Sequence, residues 1–231
     1  MSAENFDLVI VGATPGGIMT AVEAARMGKS SVILERTGHI GGLPANGLGA
    51  TDIATRGATT GLFSEFTEAI KQYYIDTYGE NSQQVKDCSD GFHFEPSVAE
   101  KIFGDMIAAE GARIDVRIMR QFNFSTGDIT MADGGRRISS IRVVNRLSGE
   151  DEHYEGRIFV DATYEGDLGA AARVPFRIGR EAAWEFNEPG AGRTYEYWKS
   201  TPAEGSTGEA DNAVQAYNYR LCLTRDTTQL I

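Results

Sequence analysis

Apolar positions change period twice within the first 35 residues. Leu8-Val9-Ile10-Val11 is an unbroken apolar run rich in β-branched residues, the pattern of a strand buried on both faces of a parallel sheet. Ile18, Val22 and Ala25 then fall at helical spacing, with Ala21 and Ala24 small enough to approach a sheet closely. The run "SSVILE" returns to strand character and ends at Glu35. Thr14-Pro15 fixes where the helix begins. Threonine is a good N-cap, proline is favoured in the first helical turn, and a residue before proline is driven to the extended angles an N-cap adopts. Gly28 is placed to end the helix.

Further along, "TTGLFSEFTEAIKQYYIDTYG" predicts a long helix with Phe63, Phe66, Ile70, Tyr74 and Tyr78 on one side, read as core. Pro96 opens another helix, with Val98, Ile102, Phe103, Met106 and Ile107 as its buried stripe and Gly111 as its end. "RIDVRIM" reads as a strand. From about residue 122 to 156, short alternating segments broken by Asp133-Gly134-Gly135 and Ser148-Gly149 predict an antiparallel meander. "RIFVDAT" restores a buried strand ending at Asp161-Ala162-Thr163. The predicted class is therefore α/β: a Rossmann-like parallel sheet with helices and an inserted three-stranded antiparallel β-meander.

Composition narrows the partners. In 231 residues the net charge is −11, which argues against nucleic acid, because phosphate backbones need a basic face. Cys88 and Cys222 are far apart and form no metal or redox spacing, so a reduced, intracellular chain is expected. The start "MSAENFDLVIVG" has no basic leader, and no stretch is long enough to span a bilayer; a cytoplasmic location with no membrane partner is the default.

The chemistry begins at "VGATPGGI". Gly12 and Gly17 occupy the outer positions of the dinucleotide fingerprint G-x-G-x-x-G, and Thr14 stands at the middle one. The threonine Cβ hinders approach to a pyrophosphate, but its hydroxyl is a donor for phosphate, and Gly16 adds a permissive residue in the first turn. The helix N-terminus offers N–H groups and a positive dipole end. Glu35 follows Gly17 at close to the spacing of the acidic residue that holds ribose hydroxyls. Its charge disfavours a 2′-phosphate, whereas the neighbouring Arg36 can accommodate one or lie solvated at the surface. Where an NAD dehydrogenase would continue with another helix and strand, residues 36–52 carry Gly38, Gly41, Gly42, Gly47 and Gly49. Such a loop suits backbone packed against a ligand, or a flexible lid.

Taken together, "GATPGGI", "TGHIGGLPANGLGATD", "DATYEGDLGAAA", "GREA" and "QAYNYRLCLT" resemble a group of FAD-dependent oxidoreductases over residues 6 to about 224. That group lies in the glutathione-reductase-like flavoprotein superfamily and is distantly similar to fumarate reductase flavoprotein subunits. The resemblance implies FAD as cofactor, with Gly12, Thr14, Gly16 and Gly17 cradling its pyrophosphate and Glu35, beside Arg36, at the adenosine ribose. It places Gly41 and Gly42 beside the pyrophosphate and ribityl chain, Asn46 to Asp52 nearer the flavin, and Ala162, Thr163 and Asp167 where a strand end crosses under the cofactor. Tyr164 stands where the superfamily often has glycine. Asp161 and Asp167 also fit helix and turn capping. His39 lies beside Gly41-Gly42, but its spacing does not match the relatives that attach FAD covalently. No metal cluster or nucleophilic triad is apparent, so the chemistry falls to the flavin ring.

The implied activity is hydride transfer between an organic small molecule and FAD. Two domains are expected: residues 1–180 for the cofactor and 181–231 as the start of a substrate or cap region, with Trp184, Tyr195, Trp198, Tyr217 and Arg220 as its candidates. The resemblance also implies a substrate domain and late cofactor contacts beyond "YRLCLT", where the chain instead ends in "RDTTQLI". A chain lacking that part is expected to expose apolar patches and to self-associate or need a partner chain that completes the fold. Two other functions stay open: a truncated, non-catalytic dinucleotide-binding module, and an NAD(P)-binding protein without flavin.

Overall fold

The computed structural model describes residues 4–53, 55–196, 199–215, 220, 221 and 223. These fall into two compact units divided after Val174, with Arg220, Leu221 and Leu223 grouped with the first.

The first unit is built on β1 (Glu4–Val11), α1 (Pro15–Arg26), β2 (Ser31–Leu34), α2 (Leu62–Tyr78), α3 (Gln83–Asp87), α4 (Pro96–Ala109), β3 (Ile114–Arg117), β4 (Arg120–Gln121), β5 (Ile129–Ala132), β6 (Arg137–Asn145), β7 (Asp151–Asp161) and α5 (Asp167–Ala171). The strands form one mixed sheet in the order β3-β2-β1-β7-β6-β4, with β5 on β6. β3, β2, β1 and β7 are parallel, whereas β7, β6, β5 and β4 pair antiparallel. The α/β class with an antiparallel insertion is the predicted one.

Alternation along β1 separates two cores, because successive side chains on a strand point to opposite faces. Leu8 and Ile10, with Ile33 of β2, meet Ile18, Ala21, Val22 and Ala25 of α1, with α2 and α4 packed behind. Val9 and Val11, with Val32 and Leu34, meet Phe122, Ile141, Val143 and Tyr154 from the antiparallel part and Leu168 and Ala171 of α5. Val9, Ile10, Val32 and Ile33 are fully buried. Each contributes about 1.5–3 kcal/mol of apolar burial, so this four-residue crossing anchors both layers.

The predicted helix faces hold except at Tyr78, the last residue of α2, which the sequence pattern assigns to the core. Phe66, Ile70 and Tyr74 of α2 are buried, and Phe66 stacks on Phe103 of α4 at 4.4 Å between ring centroids. Tyr78, one turn past Tyr74, is exposed.

One expectation is corrected. The third meander strand and the strand "RIFVDAT" are a single eleven-residue strand, β7. Its first half pairs with β6 from Asp151 to Glu155, and it pairs with β1 from Tyr154 to Asp161. No turn residue interrupts residues 151–161, and Gly156 sits where the partner changes; a Cβ there would come within 2.8 Å of Val9 Cγ2. "RIFVDAT" is also less buried than its composition suggests. Beyond Glu155 β6 no longer flanks it, and Ile158 is 56% exposed.

In the second unit an antiparallel bridge joins Arg180 to Asp211, and their side chains form an ion pair. Phe176, Ile178, Trp184 and Phe186 are exposed there. Trp198, Tyr217 and Cys222, singled out in the sequence, lie outside the described residues. Among the described residues, no helix is long and apolar enough to cross a membrane.

Candidate functional site

The register of the parallel strands assembles one edge. Val11 pairs with Leu34 on one side and Asp161 on the other, and Leu34 pairs with Arg117. The segments after these four residues therefore leave the sheet side by side at the carboxyl ends of the strands. In open α/β sheets this is where ligands bind, at the point where neighbouring connections diverge.

The β1–α1 turn is held by backbone contacts that admit only glycine at two positions. A Cβ on Gly12, whose φ is +101°, would meet the Ala162 carbonyl oxygen at 2.7 Å, and one on Gly17 would meet the Gly12 oxygen at 2.2 Å. Gly16 differs: a Cβ there meets nothing nearer than Thr14 Oγ1 at 3.8 Å. Thr14 is the N-cap, as its sequence predicts, accepting a hydrogen bond from the Gly17 N–H. Its own hydroxyl proton is committed elsewhere, donated at 2.8 Å to the Ala162 carbonyl. This corrects the expectation of a phosphate donor. Thr14 is a strut between α1 and the end of β7, and the groups left to an anion are first-turn N–H groups.

Glu35 is 9% exposed. Its Oε2 accepts from the Ala13 N–H at 2.9 Å, and its Oε1 accepts from both the N–H and the hydroxyl of Thr37 at 2.8 Å. The carboxylate thus fixes the glycine turn to the segment after β2 before any ligand arrives. Gly41 donates to the Ala13 carbonyl at 2.7 Å, and Gly42 packs so closely that a Cβ would meet the Tyr164 hydroxyl at 2.3 Å. That hydroxyl accepts from the Leu43 N–H at 2.8 Å. The tyrosine in a usual glycine position therefore clasps the glycine-rich loop.

At the end of β7, Asp161 accepts from Thr163 and, at 2.8 Å, from the Gly169 N–H, while the Thr163 hydroxyl accepts from the Gly166 and Asp167 N–H groups. Asp161 and Thr163 thus cap α5, the capping role open to Asp161 in the sequence. Burial, with the charges of Glu165 and Asp161, pushes the Asp167 carboxyl above its ordinary value.

These segments enclose a pocket of about 240 Å³. Of the sequence candidates, Gly12, Thr14, Glu35, Arg36, Gly42, Thr163 and Asp167 line it; Gly17, Gly41 and Ala162 stand behind that lining as supports of the turn, and Gly16 is exposed outside it. His39 and Asn46 also line it, and Arg220 reaches the neighbouring loop, donating to the Leu48 carbonyl at 2.8 Å. Sequence reasoning missed Arg120, Gln121, Phe122 and Glu165 as lining residues. The first three follow β3, and only strand order shows that β3 ends beside β2. Among the described residues, no group of three or more His, Cys, Asp or Glu is arranged to hold a metal.

The site fits an adenine dinucleotide. The turn at Gly12 and Gly17 has no room for a Cβ, open space surrounds Gly16, and a buried carboxylate lies at the end of the second strand.

A model of the family described as FAD dependent oxidoreductase matches residues 7–231. No curated protein matches the sequence. Among solved structures, 3-ketosteroid-Δ4-(5α)-dehydrogenase from Rhodococcus jostii RHA1 is similar at 14% identity and a TM-score of 0.44, covering 68% of this chain and 45% of its own. The myxobacterial chondrochloren halogenase CndH is similar at 18% identity and a TM-score of 0.43, with 69% of this chain and 37% of its own covered. Glycerol-3-phosphate dehydrogenase from Bacillus halodurans, solved with FAD, shows 11% identity and a TM-score of 0.46, over 75% of this chain and 37% of its own. The chain spans less than half the length of each of these three proteins. With the family match running from Asp7 within β1 to the last residue of the chain, the protein belongs to the FAD dependent oxidoreductases, and FAD is the cofactor indicated.

Proposed function

We propose that the pocket holds the adenosine and pyrophosphate of FAD and that the bound flavin exchanges a hydride with an organic small molecule. The observation that carries this reading is the joint placement of the Gly12–Gly17 turn and the buried Glu35 carboxylate on one pocket, at the carboxyl edge of the parallel strands. In it the first turn of α1 offers N–H groups to the pyrophosphate, and Glu35 presents acceptor oxygens to ribose hydroxyls. Gly42, held by Tyr164, keeps the loop beside the phosphates, and Phe122 gives an apolar wall. When bound, the flavin supplies the hydride chemistry, and the chain supplies binding and orientation. Residues 181–231 are proposed as part of the substrate-facing region, and the substrate as a small molecule.

The test is an absorption spectrum of the purified chain after incubation with FAD and desalting, followed by a screen for anaerobic bleaching by small organic reductants. Retained flavin that bleaches supports the whole reading. Retained flavin that no reductant bleaches favours the non-catalytic module, and a colourless protein refutes cofactor binding by this chain.

A further inference from the structure

Three basic side chains line the pocket, and each already faces a carboxylate. Arg36 pairs with Glu165 at 2.8 Å, His39 with Glu100 at 3.0 Å, and Arg120 with Glu152 at 3.0 Å. The lining itself carries three carboxylates, Glu35, Glu165 and Asp167. Arg36 directly follows the carboxylate placed at the ribose and is the residue type that accommodates a ribose 2′-phosphate in related sites. A guanidinium engaged by Glu165 must leave that partner to meet such a phosphate, and the phosphate must also approach the Glu165 charge. Arg146 donates to the Arg36 carbonyl at 2.7 Å and is not part of the pocket wall.

We infer that Glu165 is a specificity-determining residue which, by occupying Arg36, disfavours adenine nucleotides phosphorylated on the 2′-hydroxyl in the pocket. The inference rests on the dinucleotide reading of the site and extends it. FAD has no such phosphate, whereas NADP-type dinucleotides do, and both otherwise present the same adenosine and pyrophosphate. The selectivity is shared: Glu35 repels a 2′-phosphate directly, and Glu165 withholds Arg36, the cation that follows it at the ribose. Arg36 and Glu165 are about half exposed, and exposed pairs are weak, so Glu165 contributes a severalfold effect and not an absolute bar.

The probes are ADP-ribose and its 2′-phosphorylated form, titrated calorimetrically into the full chain without FAD. The wild type is expected to favour ADP-ribose by at least about tenfold, and Glu165→Gln to narrow that ratio by roughly threefold or more. Adding Arg36→Ala to Glu165→Gln restores the wide ratio, which a purely structural role for Glu165 would not produce. A ratio in Glu165→Gln within about twofold of the wild type overturns the inference and leaves the site reading intact. Failure of the wild type to bind either probe overturns the site reading and the inference with it.

Discussion

The Thr14 hydroxyl donates at 2.8 Å to the carbonyl of Ala162, 148 residues away in the chain. One side chain thereby caps α1 and ties its first turn to the end of β7. A glycine at this position would match the dinucleotide fingerprint more closely, and the structure argues that it would be worse. Glycine is a passable N-cap, but Thr14→Gly leaves the Ala162 carbonyl without its donor, at a cost of about 1–2 kcal/mol. Urea unfolding of the FAD-free chain is expected to show this loss, with Thr14→Ser recovering most of it. A Thr14→Gly variant as stable as the wild type would remove the strut from the account.

The two adjacent glycines of the turn are not equivalent. Gly17→Ala drives a Cβ into the Gly12 carbonyl oxygen and is expected to destabilise the fold by several kcal/mol, the clash being with backbone that has no room to shift. Gly16→Ala meets open space and replaces a helical glycine by the best helix former, so stability stays level or rises by up to about 1 kcal/mol. The Gly16 N–H is unchanged by that substitution, and FAD retention is expected to persist. Thermal denaturation beside a flavin spectrum reads both variants, and similar behaviour of the two would contradict the geometry.

Glu35 has a duty that precedes the cofactor. Its carboxylate takes three donors, from Ala13 and Thr37, so Glu35→Ala strands N–H groups at the base of the pocket. A loss of about 2–4 kcal/mol is expected in the FAD-free chain. Glu35→Gln should fall short of the wild type as well, because an amide turns one donor toward another. A variant defective only in FAD binding, with full apoprotein stability, would confine Glu35 to the ribose.

Acid should probe the meander. Burial alone would raise the Glu152 carboxyl, but hydrogen bonds from Arg120, Tyr154 and Asn145 outweigh it and hold the group at about 2, below its ordinary 4.5. The folded value is the depressed one, so its stabilisation is complete above about pH 5 and is lost as pH falls from 4.5 toward 2, an effect of about 1–2 kcal/mol after solvent screening. Tyr154 shows the opposite limb. Burial, then the neighbouring Glu152, pushes its phenol up from 10.0 to about 12, so its contribution is present below pH 10 and declines above it. Urea midpoints across pH should flatten on the acid side in Glu152→Gln; an unchanged acid slope would assign the effect to other carboxylates.

The contrast between these residues shows what the sequence carries. β1, the Thr14-Pro15 cap, α1, β2 and Glu35 lie within 35 residues, and their periods, cap and spacing are local signals that tertiary packing had no reason to override. The destination of the Thr14 hydroxyl was not readable, because Ala162 approaches only once β7 pairs beside β1. Arg120, Phe122 and Glu165 carry no local mark of a binding role; strand order brings them to the pocket. The division between the meander and "RIFVDAT" fails because the change of composition near residue 156 marks no break: the backbone continues through Gly156 as one strand.

That unbroken strand makes the antiparallel arm and the cofactor edge mechanically one body. β7 leaves β6 and joins β1 without a hinge, then delivers Ala162 to Thr14 and Asp161 to the start of α5. A substitution that crowds the far end of the arm has no loop between it and the turn at Gly12 and Thr14 that lines the proposed pocket.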